Sequence, residues 1–303
     1  MKSKSETQNP KPKICLTIAG LDPSGGAGII ADIKTFTTFG CFATAAVTSL
    51  TFQNTIGVFG ATHQTAETLR GQIEPVIEDF DISAIKTGML PTHEIIEAAA
   101  RLIEENKLKN LVVDTVLRST SGFDLIDDKA LKTLVEKLFP LAELVTPNLP
   151  EAERIARMKI QNEKDIEKAA KIMQNAGAKN VLIKGGHISI SDFGFRISDS
   201  GESEVQNQKS EIQSSMKEEP KARDFLFIGD EKYVFEADFI KTSATHGTGC
   251  TLASAIAANL ALEINLVEAI EIAKKFVTEA IRTAPNLGRG HSPINHSIMN
   301  FRV

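Results

Sequence analysis

The chain has no tryptophan and a single tyrosine among its 303 residues, so it lacks the aromatic platforms on which single-stranded nucleic acid stacks. It also lacks a basic excess. Its 34 Lys+Arg against 39 Asp+Glu give a formal net charge of −5, which argues against nucleic acid or an anionic membrane surface as the main partner. Cysteine is scarce: Cys15, Cys41 and Cys250 are an odd number with no Cys-x-x-Cys spacing. That speaks against a disulfide framework or a zinc site and fits a reducing compartment. No apolar run approaches the roughly 18 residues of a membrane span. Residues 1–13 are polar, without the apolar centre of a secretory signal. The expectation is a cytoplasmic globular protein.

What is present is a βα alternation. With 42% apolar residues, a substantial core is available. Short β-branched runs over 14–19, 45–50, 58–63, 84–87, 111–115, 143–146 and 180–184 predict strands. Between most of them, helical periodicity covers 27–39, 66–79, 94–105, 128–138, 151–158 and 164–176. Strands separated by helices of about 10–15 residues predict βαβ units and a mainly parallel sheet covered on both faces. Residues 198–223 are rich in Ser, Glu, Gln and Lys. They read as a flexible insertion between β-like runs at 193–197 and 225–235, a hairpin with an overgrown loop. Helices over 249–262 and 266–283 close the chain. One domain over 14–303, preceded by a disordered tail over 1–13, is the expected organisation.

The densest chemical signal is Thr245-His246-Gly247-Thr248-Gly249-Cys250-Thr251-Leu252, followed by an alanine-rich helix-forming run. Two glycines let successive N–H groups point into one concavity at a helix N-terminus. Anions are favoured there by the free amides and the helix dipole. The same field predicts a stabilised thiolate at Cys250, although a free cysteine also packs as a small hydrophobe.

Other strand ends add groups. The run Gly20-Leu21-Asp22-Pro23-Ser24-Gly25-Gly26-Ala27-Gly28 joins a strand to a helix, where ligands bind in such sheets. It loosely fits a dinucleotide pattern, yet no acidic residue follows at the second strand end, and it equally reads as a tight turn. Asp114, Asn148 and Glu151 fall at adjacent strand ends and offer oxygen ligands for Mg²⁺, or else cap helices. Lys184 can reach a phosphate from its Gly185-Gly186 turn, with His187 beside it. Met89 can cover a flat ring, and Gln53 offers an amide to a heterocycle edge.

These segments, in this order, resemble the hydroxymethylpyrimidine/phosphomethylpyrimidine kinases of thiamine biosynthesis, in the ribokinase-like superfamily. The match runs from Thr17 to Leu252 and includes Asp22-Pro-Ser-Gly-Gly-Ala-Gly28, Ala31-Asp32-x-Lys34-Thr35-Phe36, Lys86-x-Gly88-Met89-Leu90 and Thr146-Pro-Asn-Leu-Pro-Glu-Ala152. The resemblance implies a three-layer α/β/α sandwich with a mostly parallel central sheet. It also implies two ATP-dependent transfers, to a pyrimidine hydroxymethyl group and then to the monophosphate. By the same resemblance Cys250 is the base, and the amides of Gly247, Thr248 and Gly249 form the anion hole. Asp114 and Glu151 serve Mg²⁺, while Asn148 and Lys184 serve the nucleotide. Ala27, Asp32, Gln53 and Met89 attend the pyrimidine, and a homodimer is implied.

Leu21 stands where the family usually has Ser or Thr, Thr87 replaces a usual Ile, and the 198–223 insertion is long. The alternative substrate is pyridoxal, a similar flat hydroxymethyl heterocycle. A silent ligand-binding protein or a dinucleotide-dependent oxidoreductase are the competing classes.

Overall fold

The computed structural model describes residues 11–119, 122, 124–185 and 220–298. His187, the run at 193–197 and most of the 198–223 segment lie outside these residues. The architecture is a nine-stranded, mostly parallel sheet with helices on both faces, as the βα alternation predicts.

Strands β1 (Ile14–Leu21), β2 (Phe42–Gln53), β3 (Val58–His63), β4 (Ile82–Thr87), β5 (Leu111–Val113), β6 (Leu144–Val145), β7 (Asn180–Lys184), β8 (Lys221–Ile228) and β9 (Glu231–Asp238) lie in the order β3-β2-β1-β4-β5-β6-β7-β8-β9. The central six pair in parallel. β3, β8 and β9 join antiparallel. The winding reverses at β1, which has β2 on one side and β4 on the other. Such a switch point opens a crevice at the carboxyl ends of the strands.

Alternation along the strands assigns side chains to two cores, because successive residues point to opposite faces. On one face Leu16, Ile18, Ile85, Val113, Val145, Val181 and Phe225 meet α2 (Ala66–Asp79), α3 (His93–Glu105), α5 (Leu149–Ala156) and α6 (Glu163–Asn175). On the other face Cys15, Ala84, Val112, Leu144, Leu182 and Leu226 meet α1 (Gly28–Thr38), α7 (Thr248–Ala261) and α8 (Leu266–Arg282). Helix α7 is buried at every position from Thr251 to Ala261, the pattern of a helix apolar all round. Its alanines let it lie close to the sheet. Among the described residues no helix is long and apolar enough to cross a membrane.

Three local expectations need correction. The run at 225–235 is not one continuous strand. It splits into β8 and β9 around Gly229, whose φ of 57° permits the tight turn. Residues 221–223, assigned to the insertion, already belong to β8, where Arg223 pairs with Glu236. The helix expected over 128–138 also breaks up: α4 (Asp128–Thr133) passes into a π-helical turn, Leu134–Leu138, and a 3₁₀ turn, Phe139–Leu141, before β6.

Candidate active site

A cleft of about 880 Å³ opens at the carboxyl ends of the parallel strands. Eleven of the twelve residues nominated from sequence line it: Ala27, Gln53, Met89, Asp114, Asn148, Glu151, Lys184, Gly247, Thr248, Gly249 and Cys250.

The glycine turn stands at a helix N-terminus, as its sequence implies. Gly247 is the N-cap of α7, left-handed at φ 82°, with no side chain capping the helix end. A Cβ at Gly247 would run into the carbonyl oxygen of Gly26, so only glycine lets the cradle and the first glycine loop touch. Gly249 sits over Lys184 and Asp114; a Cβ there would lie 3.3 Å from Lys184 Nζ. The first amides of α7 therefore share one space with a lysine and a carboxylate.

That lysine and carboxylate are already paired. Lys184 Nζ donates to Asp114 Oδ1 at 3.0 Å, and Thr146 Oγ1 donates to the same oxygen at 3.3 Å. Burial acts to raise the Asp114 carboxyl, but the Lys184 and Lys86 charges and these hydrogen bonds outweigh it and hold it below its usual range. Lys184 moves the other way: burial opposes its charge, yet Asp114 and Glu151 raise it. Both groups are thus charged at neutral pH.

Asn148 and Glu151 carry a structural duty beside any ligand. They form a reciprocal capping box on α5: Glu151 N–H donates to Asn148 Oδ1 at 2.9 Å, and Asn148 N–H donates to Glu151 Oε2 at 2.8 Å. Thr115 Oγ1 and Leu117 N–H also donate to the Glu151 carboxylate. Burial pushes the Glu151 carboxyl up. Among the described residues no group of three or more His, Cys, Asp or Glu could enclose a metal. The donor set instead fits an ion such as Mg²⁺, which keeps most of its water and takes one or two carboxylates beside phosphate oxygens.

Cys250 departs from expectation. It is partly exposed, unlike Cys15 and Cys41. Burial pushes its thiol up to about 11, with Asp114 and Asp32 acting the same way; Lys86 and the Gly28 N–H, which donates to the sulfur, pull in the opposite sense. Desolvation and two nearby carboxylates outweigh Lys86 and the Gly28 N–H, so the free cleft favours the thiol over the thiolate.

Asp32 is also corrected. It is the one nominated residue absent from the cleft wall, and it is fully buried. Lys86 Nζ donates to both its oxygens at 2.9 Å, and Thr17 Oγ1 and Ser254 Oγ each donate at 2.6 Å. It therefore anchors Lys86 beneath Cys250 and does not face a ligand.

At the opposite wall, Met89 lies over Gly20, where a Cβ would meet its Sδ at 3.1 Å. Gln53 Oε1 accepts from Thr51 Oγ1 at 3.3 Å, and its amide nitrogen lies 3.4 Å from His246 Nε2 at the cleft wall. Sequence reasoning missed two buried pairs here. His246 Nε2 lies 2.7 Å from Asp22 Oδ2. Lys274 Nζ donates to Asp224 Oδ2 at 2.6 Å, in a lobe walled by Phe239, Val277 and Ile281. His246 and Asp22 sat in quoted motifs and carried a readable signal; Asp224 and Lys274 carried none.

A family model described as phosphomethylpyrimidine kinase matches residues 22–295. The hydroxymethylpyrimidine/phosphomethylpyrimidine kinase of Haemophilus influenzae is 39% identical over 285 residues, covering 94% of this chain and 96% of that protein. The thiamine biosynthesis bifunctional protein ThiED of Geobacter sulfurreducens is 42% identical over 281 residues, 93% of this chain; the chain spans about half of that protein, 51%. An ADP complex of Bacillus subtilis pyridoxal kinase superposes with a TM-score of 0.79 at 34% identity, over 96% of this chain and 100% of that one.

Two outcomes are expected from this geometry. Lys86→Met strands a fully buried carboxylate and should cost about 3–5 kcal/mol in urea unfolding; a loss below about 1 kcal/mol would show the pair to be dispensable. Iodoacetamide should alkylate Cys250 before the two buried cysteines. Its rate should keep climbing with pH toward about 11, where an ordinary cysteine levels off above about 8.5.

Proposed function

The chain belongs to the phosphomethylpyrimidine kinase family, and from that membership we propose which residues carry its chemistry. The activity is ATP-dependent phosphorylation of 4-amino-5-hydroxymethyl-2-methylpyrimidine, then of its monophosphate to the pyrophosphate, in thiamine biosynthesis. The observation that carries the residue assignment is the convergence of the α7 amides, the Lys184–Asp114 pair and Cys250 in one cleft.

The acceptor lies at the Gly20–Gly28 end, between Met89 and Gln53, with its hydroxymethyl group toward Cys250. The triphosphate takes the Asn148, Lys184 and α7 side, and the base the apolar lobe between β9 and α8. Amides of Gly247, Thr248 and Gly249 accept the charge that builds on the transferring group, in the manner of preorganised dipoles. Asp114 and Glu151 would hold Mg²⁺, which would supply charge neutralisation on the phosphates. Lys184, bonded to Asp114 in the free cleft, is the cation nearest that charge. Cys250 accepts the acceptor proton once it is a thiolate, and Lys86 together with the Gly28 N–H are the groups that favour that form.

Pyridoxal remains the second reading, favoured by the pyridoxal kinase superposition at a TM-score of 0.79. A single domain over 14–303 and a homodimer complete the proposal. Leu50, Phe52, Ile56 and Phe59 are each 41–69% exposed on β2, β3 and their turn. A second copy covering this face would remove an apolar patch unusual on a monomer.

Assays with ATP, Mg²⁺ and each heterocycle should show pyrimidine pyrophosphate formed. Pyridoxal turnover without it would overturn the substrate assignment. Cys250→Ala should lower kcat by roughly 10²-fold or more while ATP still binds, whereas full activity would remove Cys250 as the base. Sedimentation should give a dimer that Phe59→Glu dissociates; a monomeric wild type at micromolar concentration would reject it.

A further inference from the structure

The acceptor loop and the anion cradle come from opposite ends of the chain, and one charged hydrogen bond joins them. Asp22 and His246 are 3% and 5% exposed. The Asp22 carboxylate accepts from Ser24 N–H at 2.9 Å, Ser24 Oγ at 2.7 Å and Ala27 N–H at 2.9 Å, all within its own loop. Its remaining partner is His246, at 2.7 Å. Charge-assisted bonds of this length are the strong ones.

His246 is placed to transmit position. It directly precedes Gly247, whose left-handed backbone aims α7 at the cleft. Its N–H donates to Ser292 O at 3.3 Å, and it bridges Pro293, so the chain's last described segment braces it from behind. On the front, a Cβ at Gly26 would strike the imidazole. The ring is held between the loop and this brace and cannot shift without moving the cradle.

We propose that Asp22 and His246 are positioning residues whose hydrogen bond fixes the distance between acceptor and transferring phosphoryl group. The inference rests on the proposed placement of acceptor and triphosphate. Misplacement by about 1 Å costs on the order of 10²-fold in rate. In a loosened cleft water competes for the γ-phosphoryl group. The water oxygen forms the new bond to phosphorus, the bond to the ADP oxygen breaks, and the products are ADP, inorganic phosphate and a proton.

The test measures pyrimidine phosphorylation and ADP release together. His246→Leu should lower kcat roughly ten- to a hundredfold, leave the KM for ATP within about threefold, and release more ADP than acceptor phosphorylated. His246→Gln, whose amide nitrogen reaches the place of Nε2, should recover most of both. Wild-type kcat and one ADP per product in His246→Leu would overturn the proposal. So would equal impairment of the Leu and Gln variants. If His246→Leu fails to fold in a thermal melt, Asp22→Asn should show the same uncoupling, and full coupling there overturns it. A wild type inactive on the pyrimidine would instead remove the functional reading beneath it; an active wild type with unaffected variants removes only this inference.

Discussion

Everything in the cleft depends on one backbone contact that no side chain could survive. Gly26 and Gly247 meet where a Cβ on the second would occupy the position of the first one's carbonyl oxygen. This contact puts the N-terminus of a helix buried from Thr251 onward against the loop that follows β1. Free amides, a thiol and the acceptor wall then share one space. The winding of the sheet makes the crevice, and the glycines allow two backbones to fill it from either side.

Below that contact lies a layer of buried charge. Lys86 and Asp32, both without solvent exposure, join β4 to α1, and Thr17 and Ser254 tie in β1 and α7. An isolated buried charge would be costly, whereas this one is paired and hydrogen-bonded at every side. The pair also sets the electrostatics above it. Lys86 favours a thiolate at Cys250 and Asp32 opposes it. One network thus serves both packing and proton affinity.

Much of this was legible in the residues. Strand alternation and helix periodicity found most elements, because burial on both faces of a sheet imposes a period on the chain. The glycine-rich turn before an alanine-rich helix announced an anion cradle from local chemistry alone. Asp32 was misplaced because its motif says nothing of direction: its partners lie 54, 15 and 222 residues away. The single run over 225–235 hid its turn because the apolar runs 225–228 and 233–235 flank a polar stretch of only four residues, 229–232.

By itself the sequence determined the βα order, the cradle and the ordered set of strand-end groups that marks the family, since each is written in neighbouring residues. Tertiary structure decided how those groups act on one another. It paired Lys184 with Asp114 and spent Glu151 partly on capping α5. It joined Asp22 to His246 across 224 residues and raised the Cys250 thiol by burial and two remote carboxylates. Proton affinity and separation depend on what surrounds a group in space, and no local pattern of residues encodes that.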